Sequence, residues 1–207
     1  MENQTHQTNK ISSPVRYHDR NFNCEAAKLQ PGEYFVTDKQ MVLVTVLGSC
    51  VAACLYDTRL NIGGMNHFML PRRDHDPNSL VSAATRYGAH AMEILINQLL
   101  KMGAKRATLE AKIFGGANIL RGFNGGSAGE TNAHFITEYL QVEGIRIASN
   151  DLLSNDARKI YFFPATGRTL VKKIREFHNH TIVDRESEYG LRIRNLNICG
   201  DIELFSY

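Results

Sequence analysis

Residues 42–71, VLVTVLGSCVAACLYDTRLNIGGMNHFMLP, leave few folding options. Three short apolar runs are cut by two glycine signals. The first run, 41–47, is β-branched and alternates with nothing polar except Thr45, the pattern of a strand buried on both faces. Gly48-Ser49 breaks it, and 51–56 resumes as a second strand. The polar stretch 57–61 is a turn, and 64–70 is a third strand, stopped by Pro71. Each glycine break carries a residue capable of chemistry: Cys50 directly after Gly48-Ser49, and His67 shortly after Gly63-Gly64. A thiol and an imidazole on neighbouring strands are the minimum parts for cysteine nucleophilic catalysis.

Both residues also have plain structural readings. A free cysteine in an apolar run is ordinarily a small buried hydrophobe, and Cys54, in Ala-Ala-Cys-Leu, fits that description. Cys50 sits instead where the chain must bend. A bend at glycine frees backbone N–H groups, here of Gly48 and Ser49, to form an oxyanion hole and to favour the thiolate. His67, between apolar neighbours, is either a satisfied half-buried histidine or the partner of Cys50. A half-buried imidazole needs a partner for each nitrogen. Thr45, a hydroxyl in an apolar strand, must also find a hydrogen bond. It either bonds its own backbone or orients His67.

The rest of the chain frames this stretch. Residues 1–14 have the polar composition of a disordered tail, and 16–23 that of a short docked arm. Strands are expected at 33–37, 107–114, 145–150, 159–163 and 169–174. A long helix starts near Ser79, with Val81, Ala84, Gly88, Ala91, Leu95, Leu99 and Met102 on one stripe and Gly103 as its stop. A second covers 131–142. Beyond Glu176 the pattern weakens, with short candidate strands at 181–183 and 202–205. This gives one α/β domain over 15–175, built on a mixed, mostly antiparallel β core with two principal helices. Residues 176–207 form a C-terminal extension packed on it.

Several function classes are excluded. The 24 basic and 21 acidic side chains are nearly balanced and scattered, which argues against nucleic acid. No apolar run reaches the roughly 20 residues of a membrane span, and the N-terminus lacks the apolar core of a signal peptide. The expected location is the cytoplasm, with Cys24, Cys50, Cys54 and Cys199 as free thiols. The glycine stretches 114–118 and 125–130 match no phosphate-loop pattern and read as loops needing close backbone approach. Asp74-His75-Asp76 and His178-Asn179-His180 lack a third ligand, so no metal is expected.

Taken together, Thr45 to Val51 (TVLGSCV), Asp57, Gly63 to Pro71 (GGMNHFMLP) and Lys112 to Ala117 (KIFGGA) resemble the CheD family of bacterial chemoreceptor glutamine deamidases. The similarity runs from about residue 16 to about residue 173. It implies a three-layer α/β sandwich related to the catalytic domain of cytotoxic necrotizing factors, with a Cys-His-Thr set that falls on Cys50, His67 and Thr45. It implies no cofactor. The implied substrates are glutamines of methyl-accepting chemotaxis receptors, and a CheC-type phosphatase is an implied partner. Two alternatives stay open: a receptor methylesterase, and a non-catalytic adaptor binding receptors or the phosphatase. The glycines expected of this family after Asp151 are replaced by Leu152-Leu153-Ser154.

Overall fold

The computed structural model describes residues 13–71, 77–118, 128–174 and 181–194. Two five-stranded sheets lie face to face, and helices cover the outer side of one of them. The strands are β1 (Val15–Asp19), β2 (Cys24–Lys28), β3 (Tyr34–Thr37), β4 (Met41–Leu47), β5 (Val51–Asp57), β6 (Ile62–Asn66), β7 (Glu110–Gly115), β8 (Arg146–Leu152), β9 (Ala157–Phe163) and β10 (Arg168–Ile174). The helices are α1 (Pro77–Lys101), α2 (Ala128–Val142) and α3 (Thr181–Arg194). The first sheet runs β1-β2-β4-β9-β10 and the second β3-β6-β5-β7-β8. Among the described strands, only β2·β4 and β7·β8 are parallel. The three-layer, mostly antiparallel sandwich expected from the sequence is what forms.

Side-chain alternation explains the layering. Along β5, Val51, Ala53 and Leu55 face the helices, where Met92, Leu95, Ile96 and Leu99 of α1 and Ile136 and Leu140 of α2 meet them. Ala52, Cys54 and Tyr56 face the other sheet, packing with Leu43, Leu47, Ile160 and Phe162. β5 is therefore apolar throughout because both of its faces are core. Cys54 lies in this inter-sheet core, fully buried, and its thiol is pushed far up by burial. It is the inert cysteine the sequence suggests.

The differences from the sequence reading have local causes. Residues 16–23 are not an arm: Val15–Asp19 and Cys24–Lys28 form an antiparallel pair on the edge of the first sheet. The pattern was weak because β1 is exposed along nearly its whole length. His67 lies just past β6 rather than inside a strand running to Leu70; only a single bridge, Val51 to Phe68, continues the pairing. Residues 181–183 open helix α3 rather than forming a strand. Thr-Ile-Val is β-branched, but packing of the following turns outweighs that weak local preference. The helix expected from Ser79 begins at Pro77, whose missing N–H costs nothing at a first helical position. The tail 1–12, the sequences Asp74-His75-Asp76 and His178-Asn179-His180, the glycine stretch 121–127, Cys199 and the candidate strand 202–205 lie outside the described residues.

Without glycines, the turn after β8 puts Leu153 at φ +64° and Ser154 at φ +84°. These strained residues are held by the fully buried Arg158. Its guanidinium donates to the carbonyls of Asp151 and Leu153 and, at 2.8 Å, to the Asp151 carboxylate.

Candidate active site

The chain crosses from the first sheet to the second between β4 and β5, and the candidate residues meet at that crossing. Thr45 points from β4 into the space between the sheets, in line with Leu43 and Leu47. Cys50 begins the return into β5. His67 is pinned by its own backbone: its N–H donates to the Glu33 carbonyl at 2.9 Å, and its carbonyl accepts from Gly32 N–H at 2.7 Å. All three side chains are buried.

The hydrogen bonds set the imidazole tautomer. Thr45 Oγ1 donates its single proton to the Leu29 carbonyl at 3.0 Å. Toward His67 Nδ1, 2.8 Å away, it can then only accept, so Nδ1 carries the ring proton. Nε2 is left with a free lone pair, and it is buried without a hydrogen-bond partner. A fixed ring with one nitrogen unprotonated is what proton abstraction requires. The Cys50 sulfur, a His67 ring nitrogen and a Glu186 carboxylate oxygen lie within 4.8 Å of one another.

The Gly48–Cys50 turn is clamped through its carbonyls on one side and presents its N–H groups on the other. Its three carbonyls are all taken: Gly48 by Ala117 N–H at 2.7 Å, Cys50 by Gly116 N–H at 2.8 Å, and Ser49 by the Asn132 amide at 2.8 Å. Gly115 and Gly116 make this possible at φ +111° and +67°, which few side chains tolerate. The close backbone approach expected of this glycine stretch is real. With the carbonyls turned one way, the N–H groups of Gly48, Ser49 and Cys50 face the other way as an anion-binding nest.

That nest holds a residue the sequence reading missed. Glu186, on α3, accepts from Gly48 N–H at 2.8 Å and Cys50 N–H at 3.3 Å with one oxygen. Its other oxygen accepts from Ser49 N–H at 2.9 Å and Ser49 Oγ at 2.7 Å. The expected lowering of the Cys50 thiol by these N–H groups is reversed. Burial, then the charge of and hydrogen bonding to Glu186, push it well above its ordinary value, with Arg185 opposing. Cys50, His67 and Glu186 would also suit a metal ion by donor type, but both Glu186 oxygens are already engaged by the turn.

His67 is pushed down to about 3, first by burial and then by the Arg185 charge. Its folded value thus lies below the ordinary 6.5, so over that interval the unfolded chain binds the extra proton. Stability from this group is complete above pH 6.5 and is lost as pH falls toward 3. The slope is at most about 1.4 kcal/mol per pH unit. Unfolding free energies measured across this range are expected to fall less steeply for His67→Gln than for the parent chain.

A thiol, a base with its lone pair free and a hydroxyl behind the base, beside a row of backbone donors, form the kind of site cysteine hydrolases use. The chain belongs to the CheD family, described as CheD chemotactic sensory transduction, which matches residues 69–173. Curated relatives extend the match over most of the chain. "Probable chemoreceptor glutamine deamidase CheD" of Thiobacillus denitrificans is 56% identical over 91% of this chain and 94% of its own. That of Herminiimonas arsenicoxydans is 55% identical over 92% and 94%. "Probable chemoreceptor glutamine deamidase CheD 1" of Shewanella oneidensis is 54% identical over 94% and 95%. Among solved structures, the Bacillus licheniformis hypothetical protein YfiH matches with a TM-score of 0.40 at 15% identity, over 67% of this chain and 60% of that one.

Proposed function

We propose that the protein hydrolyses the side-chain amide of glutamines on methyl-accepting chemotaxis receptors, giving glutamate and ammonia, with Cys50 as nucleophile. The observation that carries this reading is the hydrogen-bond chain from Leu29 through Thr45 to His67, which leaves Nε2 unprotonated and unpartnered on a ring with one nitrogen within 4.8 Å of the thiol sulfur. The relatives' names supply the substrate.

The proposed steps use these groups in turn. His67 Nε2 takes the thiol proton while the sulfur adds to the amide carbon. The N–H groups of Gly48, Ser49 and Cys50 hold the resulting oxyanion once they are free to do so. His67 returns the proton to the amide nitrogen, the C–N bond breaks and ammonia leaves, because an amine departs poorly unless protonated. Water, deprotonated by His67, then adds to the thioester. The C–S bond breaks, leaving the glutamate side chain, and the proton goes back to the thiolate. Thr45 holds the tautomer throughout. Residues 15–175 carry this chemistry, and 176–207 are an addition to it.

Ammonia release from a recombinant receptor fragment tests the reading; none released under conditions where the fragment binds would refute it. Methanol release from methylated receptor would point to ester chemistry instead. One observation favours the adaptor reading, in which the domain only binds receptors or a CheC-type phosphatase: Cys50 and His67 are sealed from solvent. Alkylation of Cys50 no faster than that of Cys54, even with receptor fragment present, would support it.

Thr45→Val tests the positioning role. It removes the acceptor for Nδ1–H and the donor for the Leu29 carbonyl. Unmet buried partners of this kind cost about 1–3 kcal/mol. The deamidation rate is expected to fall roughly 10- to 100-fold, as when an orienting hydrogen bond is lost, with KM little changed. Thr45→Ser should restore most of it, which mere loss of packing would not predict.

A further inference from the structure

Helix α3 closes the open end of the inter-sheet seam. Tyr189 and Ile193 are buried in the same core cluster as Cys50. Tyr189 lies against Gly32, in the turn that fixes His67, and its hydroxyl contacts that of Tyr87. Arg185 donates to the Val46 carbonyl at 2.8 Å, just before the Cys50 turn. Between these anchors, Glu186 fills the backbone nest with four hydrogen bonds. A substrate carbonyl in the proposed reaction needs those same N–H groups. The two cannot occupy them together.

We propose that α3 is an intramolecular plug, with the Glu186 carboxylate standing where the carboxylate of a glutamate product would stand. The resting chain is therefore self-inhibited, and a receptor segment must displace α3 to reach Cys50. This rests on the deamidase reading for its meaning, although occlusion of Cys50 can be tested without it. Three features support it. Glu186 is a side chain of the product type. It is delivered on a helix, so the groove accepts a helical segment carrying such a residue. Finally, α3 has 14 residues, a length at which an isolated helix is marginal in water, so its order depends on docking and can be lost locally.

The test uses the full chain and two variants that act differently. Glu186→Ala removes the group in the nest. Ser187→Pro keeps Glu186 but breaks the helix at an exposed position, where proline removes an N–H and clashes with the preceding turn. Iodoacetamide labelling of Cys50 is followed by peptide mass spectrometry, with Cys54 as internal reference and circular dichroism and thermal melting as checks on folding. Both variants are expected to label at Cys50 at least tenfold faster than the parent chain, with Cys54 unchanged, and to deamidate the receptor fragment faster. Folded variants that label no faster than the parent would overturn the plug. Faster labelling without deamidation would leave the plug standing and sink the deamidase reading. Faster labelling with slower deamidation would overturn self-inhibition and make Glu186 a support of the active turn.

Discussion

Cys50→Ala is expected to abolish deamidation of the receptor fragment, with a loss of at least about 10⁴-fold, as when other nucleophiles are removed from hydrolases. The reason lies in how the work is divided. His67 can accept a proton, and the turn can hold an oxyanion, but neither can form the thioester. Water alone would have to attack an amide in a site shaped around sulfur. The variant should stay folded, because losing a small buried sulfur costs only about 1 kcal/mol. Binding of the fragment should be unchanged, and release of ammonia, followed over hours, is the measurement. Cys54→Ala is the matching control. It removes an equally buried thiol on the inter-sheet face of β5 and should leave the rate unchanged once any loss of stability is accounted for.

The second large effect is on the fold. Gly115 has φ +111°, and a Cβ there would lie 2.1 Å from the Cys50 carbonyl oxygen and 3.0 Å from Val51 Cα. Both neighbours are backbone in the centre of the second sheet and cannot turn aside. Gly115→Ala therefore adds backbone strain of about 1–3 kcal/mol to overpacking of about 1–3 kcal/mol. For a chain of this size that corresponds to a Tm lower by roughly 5–20 °C. Any relief must move the Cys50 turn, so activity should fall in the fraction that remains folded. Gly144→Ala separates the two causes. Its φ is +67°, but nothing lies within 4 Å of the added carbon, so it should pay only the strain. Thermal melts of the two variants give the comparison.

These effects show which parts of the molecule were legible in sequence. β4 and β5 could be read because both are core on each face, which leaves uninterrupted apolar runs. Thr45 stood out as the one polar residue in such a run, and Cys50 and His67 because glycine bends precede them. Local pattern reaches no further. Glu186 lies 136 residues after Cys50, in a segment of mixed polarity. Its meaning comes entirely from a turn formed elsewhere, and no spacing rule connects the two. The same gap explains the Cys50 thiol: outward N–H groups should lower it, but only the fold shows that a carboxylate already fills them. β1 was missed because an exposed edge strand carries little alternation, and β2 because its buried centre is only the two small residues Ala26 and Ala27. The Leu153-Ser154 turn, without glycine, depends on Arg158, a partner invisible to local rules.

Hydrolysis of a receptor glutamine by Cys50 is tested most directly by running the reaction in ¹⁸O-labelled water. Intact-mass and peptide analysis of the fragment should show a gain of about three daltons per modified glutamine, as ammonia leaves and one labelled oxygen enters through the thioester. Cys50→Ala protein should show no gain. An unlabelled fragment mass after incubation with folded, receptor-binding protein, or an equal gain with Cys50→Ala, would contradict it.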